Sequence, residues 1–117
     1  MVMKRRADER IDLLQGTLDM MVLRALTWGP QHGHGIGVWI RTMSEELLQV
    51  EHGSLYPALH RLQRRKLVAA EWRVTENKQR AKYYRLTPAG KKQLTAAQSN
   101  WDELVAVVAR VMRPAQS

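Results

Sequence analysis

After Leu67 the spacing of apolar residues changes from about 3.6 to 2, and that change limits what the chain can fold into. Before it, Leu14, Leu18, Met21, Val22, Ala25 and Leu26 recur at intervals of three and four, the stripe of an amphipathic helix that Gly29-Pro30 ends. His32-Gly33-His34-Gly35 turns the chain into a second helix, with Ile36, Trp39, Ile40 and Met43 on one side and its end near Ser44. Gly35 and Gly37 there would let a neighbouring helix come close. Residues 44–52 read as a connection. Gly53-Ser54 opens a third helix, with Ser54 as N-cap and Pro57 in the first turn. At about 100° per residue, Leu55, Ala58, Leu59 and Leu62 share one side and Pro57, His60, Arg61 and Arg64 the other.

Beyond Leu67, Val68, Ala70, Trp72 and Val74 alternate with Ala69, Glu71 and Arg73, and Tyr84 and Leu86 alternate with Tyr83 and Arg85. Two strands joined by residues 75–80 make a hairpin with a basic tip, Asn77-Lys78-Gln79-Arg80. The alternation turns Trp72 and Tyr84 toward the core. Thr87-Pro88, an N-cap followed by Pro, starts a last helix that runs to about Met112. The order predicts a mainly α fold with a β-hairpin: a winged helix-turn-helix plus a C-terminal dimerisation helix. The expected division is a basic N-terminal arm over residues 1–12, the DNA-binding unit over 13–87, the dimerisation helix over 88–113 and a tail over 114–117.

Charge gives this fold its expected use. The 117 residues carry a net +8, and residues 54–92 alone hold eleven Lys or Arg against Glu71 and Glu76, so that third of the chain accounts for all the excess. A field so concentrated draws polyanions, most commonly nucleic acid. The absence of Cys excludes a disulfide framework, a thiolate zinc site and a cysteine redox switch, and suits a cytoplasmic location. The longest apolar run, residues 18–28, is broken by Asp19 and Arg24, so neither a membrane anchor nor a signal peptide is expected.

A recognition helix needs an apolar anchor on one side and long donors on the other. Leu55, Leu59 and Leu62 supply the anchor. Arg61 and Arg64 carry guanidinium forks for a guanine edge or a phosphate, His60 a weaker donor, Ser54 a helix start suited to phosphate, and Tyr56 a hydroxyl near the same end. Lys78, Arg80 and Lys82 are placed for the adjacent minor groove or its phosphates. On the last helix Leu94, Ala97, Trp101, Leu104, Val108 and Val111 follow a 3-4-3-4-3 spacing, a coiled-coil seam with no partner in so small a monomer. A homodimer through this seam would set two recognition helices about 34 to 36 Å apart on a near-palindromic site.

The segments Leu13-Leu14-Gln15-Gly16-Thr17-Leu18-Asp19, Gly29-Pro30 with His32-Gly33, Gly53-Ser54-Leu55-Tyr56-Pro57-Ala58-Leu59-His60-Arg61-Leu62 and Tyr83-Tyr84-Arg85-Leu86-Thr87-Pro88-Ala89-Gly90 resemble the PadR family of bacterial transcriptional regulators. The resemblance implies a winged-helix dimer that usually represses and leaves its operator on a small-molecule or other cue. It implies that Tyr56 meets the DNA backbone and that residues 78–82 form the wing. His34 stands where the family usually has Tyr. The chain is similar to the short branch with one C-terminal helix, some of whose members bind flat aromatic molecules beside an interface tryptophan. That makes Trp101 the candidate effector contact.

No G-x-S-x-G, H-E-x-x-H or P-loop is present, so no enzyme is expected. Four histidines without Cys or a matching carboxylate set give no expected metal site, and no cofactor is implied. The expected partners are double-stranded DNA and a second copy of the chain. The alternative is a winged-helix protein-interaction module whose basic face binds an acidic partner.

Overall fold

The computed structural model describes residues 15–115. The basic arm, Leu13 and Leu14 lie outside them. The described chain forms α1 (Gln15–Ala25), a 3-10 turn (Leu26–Trp28), β1 (Gln31–His32), α2 (Gly33–Met43), α3 (His52–Arg64), β2 (Val68–Val74), β3 (Arg80–Leu86) and α4 (Pro88–Val111). The hairpin and four helices thus follow the expected order. The antiparallel sheet has three strands in the order β1-β3-β2, because Gln31 and His32 pair with Tyr84 and Tyr83. Two residues are too few to show any alternation, so sequence spacing could not reveal β1.

Helix α1 is central, packing against α2, α3 and α4. Leu18, Val22, Leu23, Ala25 and Leu26 are all buried, with Met21 packed beside them, so burial reaches round more of the helix than the expected stripe. Ile36 and Ile40 of α2 join the core with Trp39 partly buried, but Met43 is exposed because α2 ends there and the chain turns away. That turn is tight: Glu45 and Glu46 adopt positive φ, and the Glu46 N–H donates to the Arg41 carbonyl at 2.9 Å.

Helix α3 begins earlier than its sequence suggests. Glu51 is the N-cap residue, so Ser54 is the third helical residue, its N–H donating to the Glu51 carbonyl at 3.0 Å. Pro57 consequently falls in the second turn, on the exposed side. Its apolar stripe is as expected, with Leu55, Ala58, Leu59 and Leu62 fully buried. The helix ends in a Schellman motif: Lys66 takes φ 61°, and the Leu67 N–H donates to the Leu62 carbonyl at 2.9 Å while the Leu67 side chain is buried.

Thr87 fastens this corner to α4. Its hydroxyl faces the Lys66 and Leu67 carbonyls at 2.8 and 3.0 Å and accepts from the Gly90 N–H at 3.0 Å, the expected N-cap with Pro88 following. Gly90 must be glycine for steric reasons, since a Cβ there would overlap the Leu67 carbonyl oxygen. Leu94 then buries against the core, but from Gln98 onward every described residue of the chain is exposed.

The hairpin pairs Val68 with Leu86, Ala70 with Tyr84, Trp72 with Lys82 and Val74 with Arg80. Tyr84 is buried as expected, but Trp72 is 59% exposed. Both rings lie on the same face of the ribbon. The helical layer covers only its base, so alternation gives Trp72 the right face without giving it a cover.

Candidate nucleic-acid interface

The exposed side of α3 carries Ser54, Tyr56, His60 and Arg64. Tyr56 is 45% exposed, and the rest of its ring lies on α2: a Cβ on Gly33 would sit 2.8 Å from the Tyr56 hydroxyl. The close approach therefore occurs at Gly33. Gly37 is in ordinary contact with Leu55 of α3, and Gly35 faces the Gln31 side chain. His52 meets the Tyr56 ring edge-on at 5.5 Å, so the ring is flanked by His52 as well as by α2.

Arg61 is placed differently from its helical neighbours. Its Nη2 donates to Asp19 Oδ1 at 2.7 Å and its Nε to Oδ2 at 3.4 Å, with both side chains largely shielded from water. The expected DNA-facing arginine is thus engaged in tying α3 to α1. Asp19, the acidic residue inside the apolar run of the first helix, was the signal for this pair, but its partner lies 42 residues away.

At the entrance to α2, His32 acts as N-cap, its Nδ1 accepting from the Gly35 N–H at 3.0 Å. The His32 ring meets Tyr83 edge-on at 5.3 Å and stacks at 6.3 Å on His34. Tyr84 has its hydroxyl pKa raised above 10.0, first by burial and then by the nearby Tyr56. This aromatic group joins the base of the hairpin to the starts of α2 and α3. Among the described residues, no three His, Asp or Glu side chains are gathered as metal ligands.

The hairpin tip is held by its own hydrogen bonds. The Thr75 N–H donates to the Gln79 carbonyl at 2.7 Å and the Lys78 N–H to the Thr75 carbonyl at 2.9 Å, with Lys78 at φ 59°. Lys78 and Arg80 are exposed and Lys82 is half-buried. Tyr56 of α3 and Arg80 and Lys82 of β3 line one groove, whereas Ser54, His60, Arg64 and Lys78 are not among its lining residues.

A second region lies where α4 leaves the core. Trp101, Leu104, Val108 and Val111 are 40 to 76% exposed, with Val105 and Val107 beside them, while Leu94 and Ala97 at the start of the seam are covered in whole or part. A cavity of about 280 Å³ between α1 and α4 is lined by Met20, Met21, Arg24, Leu94, Gln98, Trp101 and Asp102.

The sequence matches the family model described as the transcriptional regulator PadR-like family over residues 22–96, from the last turn of α1 through the first turns of α4. The chain belongs to the PadR-like family. It is a transcriptional regulator of a class that works by binding DNA and not by catalysis. It is 39% identical over 69 residues to Transcriptional regulator Rv3488 of Mycobacterium tuberculosis, across 58% of this chain and 64% of that protein. A transcriptional regulator from Clostridium thermocellum is 28% identical, with a TM-score of 0.78 over 85% of this chain and 96% of that one. A PadR family regulator from Eggerthella lenta is 30% identical, with a TM-score of 0.71 over 86% of each chain. No described helix of this PadR-like chain is long and apolar enough to cross a membrane.

Proposed function

We propose that this PadR-like regulator is a homodimeric repressor that reads a near-palindromic operator. The observation that carries the proposal is the disposition of α3 and α4. One presents unpaired donors beside a basic hairpin, and the other extends an exposed apolar seam past the end of its own core. In this reading α3 enters the major groove, with His60 and Arg64 toward base edges and Ser54 and Tyr56 toward the backbone. Arg61, paired with Asp19, sets the angle of α3 on α1, and Lys78, Arg80 and Lys82 meet the flanking phosphates or minor groove. Leu94, Ala97, Trp101, Leu104, Val108 and Val111 make the dimer.

The same seam supports release by an effector. The cavity beside Trp101 is about 280 Å³, near the lower end of the range for small-molecule sites, and a second chain against α4 would close it further. A small aromatic effector is therefore the proposed ligand, and repression in the cytoplasm the proposed setting. Arg64→Ala tests the recognition helix: specific binding to the operator should weaken by about 1 to 3 kcal/mol with little change on scrambled DNA. Equal loss on both would move Arg64 to a phosphate.

A further inference from the structure

Along one face of the hairpin, from its base to its tip, cations alternate with aromatic rings. Tyr84 is followed by Lys82, whose Nζ lies 5.6 Å from the Tyr84 ring centroid. Trp72 stands directly across from Lys82, and beyond it the Arg80 guanidinium lies 5.0 Å from the centroid of the Trp72 ring. Within the paired strands no acidic residue shares this face, since Glu71 points to the opposite one and pairs there with Arg73; Glu76, in the connecting loop, lines the end of the groove. The ladder opens into the groove that Tyr56 of α3 also lines. Its outer rungs are wet, since Trp72 is 59% exposed and Val74 on the same face 71%.

We infer that Trp72 is itself a DNA contact, packed against the deoxyribose wall of the minor groove, and that it holds Arg80, beside Lys82, in reach of the flanking phosphates. This rests on the DNA-binding reading above. The Trp72 indole stands outside the core cluster, and a partner that covered it would add burial the chain itself does not supply. That partner must offer an apolar edge for the ring and negative charge on either side for the two cations. The edge of the minor groove has this composition, sugar carbons between rows of phosphates. A guanidinium stacked on indole is also restricted before it binds, so less of its conformational freedom is lost on reaching a phosphate.

The test compares the full chain with Trp72→Ala and Trp72→Phe by fluorescence anisotropy. The probes are labelled duplexes of about 30 bp, roughly three helical turns, one from upstream of its own gene and one scrambled. Titrations run across a range of salt concentrations. Trp72→Ala should bind about three- to tenfold more weakly at low salt. Its slope of log K against log salt should be shallower by about 1 to 2, although no charge is removed, because each lost phosphate contact contributes about 0.9. Trp72→Phe should keep most of the slope. The tryptophan emission difference between the natural chain and Trp72→Phe should change on adding duplex. If Trp72→Ala keeps natural affinity and slope while Arg80→Ala and Lys82→Ala weaken binding, the inference falls and the DNA-binding reading stands. If the natural chain binds neither duplex, both fall.

Discussion

On α3, Leu55, Ala58, Leu59 and Leu62 are covered by the chain that bears them, whereas on the outer part of α4 Leu104, Val108 and Val111 meet water. Both stripes follow helical spacing, and what separates them is how far along each helix the described core extends. The described part of α1 packs on α3 and on α4, and the 24 residues of α4 extend about 36 Å. Among the described residues the core covers α3 and the first turns of α4 as far as Leu94, and α4 continues beyond it. A periodic stripe therefore says which side of a helix is apolar, and the extent of the core decides how much of that side the described chain covers.

The comparison makes its largest prediction at α3. Leu59→Ala should lower unfolding stability by about 2 to 5 kcal/mol, with an effect on urea or thermal unfolding that the surrounding core cannot fully relax. A loss below about 1 kcal/mol would mean that α3 is less firmly seated than its full burial indicates. On α4 the corresponding change, Leu104→Lys, should leave the monomer folded and weaken the dimer by about 2 kcal/mol or more, read by sedimentation over a range of concentrations. A variant that still sediments as a dimer would remove the seam from the account.

Asp19→Asn sharpens the contrast from the other side, since it leaves the apolar surfaces alone and removes the charge that fixes Arg61. Stability should fall by about 1 to 2 kcal/mol, because the pair is largely shielded and the guanidinium would keep only a neutral acceptor. Operator affinity should fall with it as the angle of α3 loosens. Unchanged stability together with tighter DNA binding would show instead that Asp19 withholds Arg61 from the backbone.

Most of the architecture was legible because the period of the apolar residues changes where the elements change, and because Gly29-Pro30 and Thr87-Pro88 mark boundaries with their own chemistry. What escaped had physical reasons. The strand β1 is two residues long, and the Asp19–Arg61 pair spans 42 residues. Ser54 is an intrinsically good cap, but Glu51 occupies the capping position and carries the helix back one turn. Trp72 and Tyr84 share a parity and differ in depth, which alternation does not encode. Of the expected DNA contacts, His60 and Arg64 lie exposed on α3, whereas Arg61 is drawn inward by a carboxylate that no local rule pairs with it.

The measurement that bears most directly on the account is an anisotropy titration of the unaltered protein. It would compare DNA from upstream of its own gene with a scrambled duplex at two salt concentrations. The account predicts tight binding to the native fragment alone, falling steeply as salt rises. Equal, weak binding to both duplexes would contradict operator recognition and favour a basic face that serves an acidic protein partner.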